Sequence, residues 1–143
     1  MSTAIDRVVR GLLLSAAMAS STHVDEECKA ISVPPPGTDC SNPDADHIDY
    51  NCPPLWDEVE DCRLNQAYHE LLASLQSESE EAKKLRESQR AWIRFRDADV
   101  ALVVSHYSEG GSLGNSIASM RRFELTRSRV RDIESRLADA ARW

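Results

Sequence analysis

The sequence predicts an all-α protein: an antiparallel three-helix bundle with a disulfide-stapled N-terminal arm. Three stretches repeat apolar residues near a 3.6 period, no segment alternates convincingly at the strand period of two, and all four cysteines precede residue 63. At 143 residues the chain suits one domain with a modest core and is too short for two.

Residues 1–19 read as a signal peptide. Arg7 and Arg10 precede the apolar run Gly11 to Ala19, and Ala17-Met18-Ala19 fits a small-x-small cleavage site. That run is too short to span a bilayer, so the expected address is periplasmic or secreted, with no membrane span. Residues 20–54 form an arm rich in Pro, Asp, Ser and Cys, in which Pro34-Pro35-Pro36-Gly37 forbids regular structure. Asn42 followed by Pro43 resembles a helix cap with proline at the first helical position, which predicts a short helix to about Tyr50.

Residues 55–143 are expected to form the helical bundle. Leu55, Val59, Cys62, Tyr68, Leu71, Leu72 and Leu75 predict a first long helix to about Ser77. Ser77 with Glu80 reads as a capping box opening a second helix, whose buried stripe holds Leu85, Trp92, Ile93, Val100 and Val103 and which ends near Ser105. Residues 106–114 read as a glycine-rich connection with two or three left-handed glycines. A third helix is expected from about Asn115 to Ala141, with Ile117, Met120, Phe123, Val130, Ile133 and Leu137 inward.

Charge is segregated. The formal net charge is -7, residues 25–62 balance to -10, and residues 121–143 balance to +3. An acidic chain is a poor nucleic-acid binder and a better partner for a cationic protein. Cys28, Cys40, Cys52 and Cys62 are spaced 12, 12 and 10 apart, which matches no zinc pattern and favours disulfides, with three pairings open. No cofactor or metal motif is present. Ser112 and His106 lack a nucleophile-elbow setting, and paired carboxylates such as Glu80 and Glu81 or Glu58 and Asp61 are not placed across a cleft by any pattern, so no catalytic residue is assigned.

The segment Gln89 to Asp97 puts rings and guanidinium groups on one helix, with Gln89, Trp92, Arg96 and Val100 on a shared face. Asn65, Gln89, Arg96, Thr126 and Arg129 are expected to form an internal polar network that fixes helix register, with Asp61, Asp97 and Asp99 as available carboxylates. Trp92, Tyr68 and Phe95 read as core, and Trp56 and Trp143 as freer.

In this order, Cys40-Ser41-Asn42-Pro43 with Cys52, Asp61, Leu64-Asn65-x-x-Tyr68, Leu85, Gln89-Arg90-Ala91-Trp92-Ile93-x-Phe95-Arg96-Asp97-Ala98, Gly110-Gly111-Ser112 and Leu125-Thr126-x-x-Arg129 are the chain's most specific signature. The set resembles the family named for the N-terminal domain of the lysozyme inhibitor LprI, over about residues 40–137. The resemblance implies a small helical exported domain and, for the family's named member, lysozyme binding and inhibition. It also implies a Cys40–Cys52 bridge, with Cys28 then left to pair with Cys62. Where the family usually carries two further cysteines this chain has Val100 and Met120, expected to pack across the second and third helices. The expected function is protein binding with lysozyme as the partner, and His106, Tyr107, Ser108, Gly110, Gly111 and Ser112 as the contact loop. The alternative is an envelope-interaction module without inhibitory activity. Neither reading fixes an oligomeric state.

Overall fold

Among the described residues there are four helices, not the expected three. The computed structural model describes residues 27–30, 33–45, 48–107 and 111–140. The signal segment, Ser108, Gly110 and Trp143 lie outside these. The additional helix, α1, has residues 27–30 as its described part, and the apolar pattern of the sequence did not register it. Three long helices follow: α2 (Cys52–Ser74), α3 (Glu80–Ser105) and α4 (Gly111–Ala140).

Pro53 and Pro54 open α2, where missing amide protons cost nothing, and Leu75 ends it in an extended conformation. The helix starts and stops about three residues before its expected limits. Ser79, not Ser77, caps α3: its hydroxyl accepts from the Ala82 amide at 3.1 Å, and Glu80 and Glu81 occupy the first turn, where negative charge suits the helix dipole. α4 begins at Gly111, so Gly111 to Gly114 are helical and not loop. Gly111 has φ +82°, while Gly114 has an ordinary helical backbone. The short helix expected after Asn42 is instead a turn, in which the Asn42 side-chain oxygen accepts from the Asp44 amide at 3.0 Å.

Ion pairs define the directions. Asp57–Arg122 and Arg63–Glu134 climb α2 and α4 together, whereas Arg121–Asp99 and the Arg129–Gln89 hydrogen bond run in opposite senses along α4 and α3. α2 and α4 are therefore parallel, and α3, which lies between them in sequence, runs antiparallel to both. α4 is the central helix, lying along α2 and, less extensively, along α3.

The core has two clusters. Leu64, Ala67, Leu71, Val130 and Ile133 form one, with Leu85, Trp92 and Leu137 packed against it. Cys52, Trp56 and Phe123 form the other, with Cys40, Ile48 and Met120 around them. Trp56, expected to be free, is thus core: its ring lies 5.7 Å from that of Phe123, and its indole N–H donates to the Cys40 carbonyl at 2.8 Å. Phe95 and Ile93, expected inside, are 55% and 39% exposed. Val100 is buried, Met120 packs with the second cluster, and Arg121–Asp99 at 2.6 Å ties α3 to α4 beside them. Disulfides join Cys28 to Cys62 and Cys40 to Cys52, fastening the arm to α2 at two levels.

Candidate functional site

Trp92 sits at the centre of the interhelix polar cluster. The Arg96 guanidinium lies 5.2 Å from its ring centroid and that of Arg129 lies 5.9 Å away, so two cations from different helices share one ring. Arg129 uses all three nitrogens: Nε donates to Gln89 Oε1 at 3.1 Å, Nη2 to Ser88 Oγ at 3.0 Å, and Nη1 to Asp132 at 2.6 Å. Burial pulls its pKa below the usual arginine range, opposed by the Asp132 charge. Arg96 reaches across to Asp61 on α2 at 3.1 Å and to its neighbour Asp97 at 3.1 Å, and the Asn65 amide donates to Asp61 at 3.5 Å.

Four of the five expected network residues therefore meet directly or through Trp92 and Asp61. The fifth does not. Thr126 is fully buried, but its hydroxyl has no hydrogen-bond partner among the described residues. Asp99, grouped with the available carboxylates, serves Arg121 instead.

The α3–α4 link, expected to be the contact loop, is shorter than the sequence implied, because α4 begins at Gly111. His106 and Tyr107 are exposed, whereas Gly111 and Ser112 form the exposed first turn of α4. The helix directions place this link at the end of the bundle where α2 begins, which is also the end carrying the Cys40–Cys52 bridge. Exposed carboxylates near the start of α2 are fixed by local bonds, Asp39 accepting from the Ser41 amide at 2.9 Å and Asp49 from the Asn51 amide at 2.9 Å, while Asp44 of the arm is held by Arg127, half-way along α4, at 3.0 Å. The Ser41 backbone amide lowers the Asp39 pKa, and the Arg127 hydrogen bond lowers that of Asp44, so both stay charged into acid.

Sequence reasoning missed a groove of about 430 Å³ between the arm and helices α2 and α4. Trp56 and Phe123 line it, Arg127 lies 5.6 Å from the Phe123 ring centroid, and Pro34 and Pro43 belong to the arm wall. Glu60 lines it as well, 6% exposed, with one oxygen paired to Arg63 at 3.0 Å and the other unbonded among the described residues. The clue was available in the acidic spacing: Asp57 and Glu60 share the α2 face of Trp56, Leu64 and Leu71, which is the face turned inward. None of this supplies a nucleophile beside a base. Among the described residues no group of three or more His, Cys, Asp or Glu side chains is placed to hold a metal ion, and no helix is long and apolar enough to cross a membrane.

Residues 57–133 match the sequence family described as lysozyme inhibitor LprI, which is more than half of the chain. The chain belongs to the LprI family. No curated protein and no solved structure matches it. The matched LprI segment runs from the first turns of α2 to the buried Ile133 of α4, and so contains the whole Trp92 cluster and the α3–α4 link. The arm, with Cys28, Cys40 and Cys52, precedes it.

Proposed function

We propose that this LprI-family domain is an exported binder of a cationic protein, that lysozyme is its target, and that the arm end of the bundle is the contact surface. Its chief support is the charge layout: Asp39 and Asp49 are exposed, locally anchored and placed at the start of α2, the end of the bundle that also presents His106 and Tyr107. Anchored carboxylates keep their positions without further loss of freedom on binding, and a negative surface accelerates encounter with a basic enzyme. Lysozyme hydrolyses glycosides with two carboxyl groups in a cleft, which hydrogen-bond donors such as His106, Tyr107 and Ser112 are suited to enter. Acidic residues steer the approach and the loop fills the cleft.

The test is an inhibition assay with oxidised protein at low and moderate salt. Replacing Asp39 and Asp49 together by Asn should slow association several-fold and flatten its salt dependence. Replacing His106, Tyr107 and Ser112 together by Ala should weaken inhibition at least tenfold; inhibition that survives unchanged rules out this loop as the plug. Absence of inhibition by the wild-type protein rejects lysozyme as the target.

A further inference from the structure

The groove between the arm and helices α2 and α4 is lined by a carboxyl group that the fold leaves half-bonded. Trp56, Val59 and Phe123 give the groove apolar walls, and Glu60 is buried there with its second oxygen, Oε2, unbonded among the described residues. A scaffold gains nothing from such an oxygen. Burying it without a donor costs stability, and an apolar residue of similar size would pack without that cost.

The donors of the groove are already engaged. The Trp56 indole N–H is on the Cys40 carbonyl, Arg127 bonds both oxygens of Asp44, and Arg63 pairs with Glu60 at 3.0 Å and with Glu134 at 3.7 Å. What the buried wall has to offer a ligand is therefore an acceptor. Its charge points the same way: Arg127 and Asp44 cancel, whereas Arg63 stands between two carboxylates and leaves one negative charge in excess.

We infer that this groove receives a lysine side chain presented by a partner protein, with the methylene stem along Trp56, Val59 and Phe123 and the ammonium donating to Glu60 Oε2. Lysine fits better than arginine, because Arg63 already holds the other Glu60 oxygen: one free oxygen suits a compact ammonium, while a guanidinium fork needs two. A volume of about 430 Å³ accommodates one long side chain. Lys29, exposed where it borders the groove, opposes the incoming charge and keeps the affinity low. The biological source of the lysine rests on the cationic partner proposed above, whereas the chemistry of the pocket does not.

Short blocked glycine peptides carrying one central lysine, norleucine, acetyl-lysine or arginine, titrated into the oxidised protein, test this without lysozyme. The reporter is the nuclear magnetic resonance signal of the Trp56 indole N–H, which is held in the groove wall. The lysine peptide should give a saturable shift with a dissociation constant of about 1–10 mM, and the other three should bind at least tenfold more weakly. Glu60→Gln should weaken the lysine peptide at least tenfold with circular dichroism unchanged. Lys29→Ala, at an exposed position that leaves the buried groups intact, should tighten it about two- to threefold. Equal binding of the lysine and norleucine peptides, undiminished lysine affinity in Glu60→Gln, weaker lysine affinity in Lys29→Ala, or no saturable shift at Trp56 up to about 50 mM would each overturn the pocket. Lysozyme inhibition without lysine-peptide binding overturns the pocket and leaves the proposed function standing; lysine-peptide binding without inhibition does the reverse.

Discussion

Thr126 and Asp57 show how single buried oxygens set local stability. The Thr126 hydroxyl is sealed in the core without a partner, so replacing it by a methyl group of the same shape removes an unmet desolvation cost. Thr126→Val should stabilise the protein by about 1 kcal/mol, read as a higher urea midpoint with an unchanged m-value. A loss of similar size would mean that the hydroxyl is satisfied. Asp57 is buried with one oxygen on Arg122 at 2.8 Å and the other unbonded. Burial is the larger influence and raises its pKa, against the pull of Arg122. The folded state therefore holds this proton more tightly than the unfolded chain. The resulting stability is fully present below the unfolded pKa, near 3.9, and is lost as pH rises through the folded value. Asp57→Asn removes that loss, so urea titrations should show the variant gaining on wild type as pH increases from about 4 to 7. A constant difference across that range would exclude Asp57 as the titrating group.

At the start of α4, two glycines three residues apart should answer the same substitution with opposite signs. Gly111 has φ +82°, where a Cβ meets no atom but the backbone itself disfavours any L side chain; Gly114 is helical, with open space where a Cβ would sit. Gly111→Ala should destabilise by about 1 kcal/mol, and Gly114→Ala should stabilise by about 0.5–1 kcal/mol, measured by thermal or urea unfolding. Equal effects would mean that α4 does not begin at Gly111. The three long helices were legible because each repeats apolar residues over more than five turns. Their ends and faces were less so. The glycine run read as loop because Gly111 and Gly114 look alike in sequence, though only one takes the left-handed conformation. The inward face of α2 was misassigned because carboxylates at Asp57 and Glu60 interrupt its apolar pattern, which sent Trp56 outward in the reading. The Trp92 cluster was legible since aromatic and guanidinium groups recur at helical spacing, but the choice of partners was not: Asp61, Ser88 and Asp132 are ordinary surface types until the helices meet.

The segregated charge of the whole chain resolves into register. Arginines of α4 face carboxylates supplied by the arm, by α2 and by α3, in Arg127–Asp44, Arg122–Asp57 and Arg121–Asp99, so the basic balance of residues 121–143 is largely neutralised across helices. The arm is fastened to α2 by its two bridges. Cys40–Cys52 closes a short loop nested inside the one closed by Cys28–Cys62, and its neighbours Trp56, Phe123 and Met120 form the arm-end cluster. The cluster of Leu64, Ala67, Leu71, Val130 and Ile133 includes no arm residue. Replacing Cys40 and Cys52 together by Ser should therefore cost about 3 kcal/mol through the freed loop, while the far-ultraviolet helical signal below the transition stays near that of wild type. Trp56 loses its carbonyl acceptor as the arm departs, so the change should appear in near-ultraviolet dichroism. Helix loss in parallel with the arm signal would show that the two clusters fold as one unit. With the helices intact and the arm released, Asp39 no longer holds a fixed position at the start of α2, and the proposed inhibition should weaken in the same variant; undiminished inhibition would place the binding surface away from the arm.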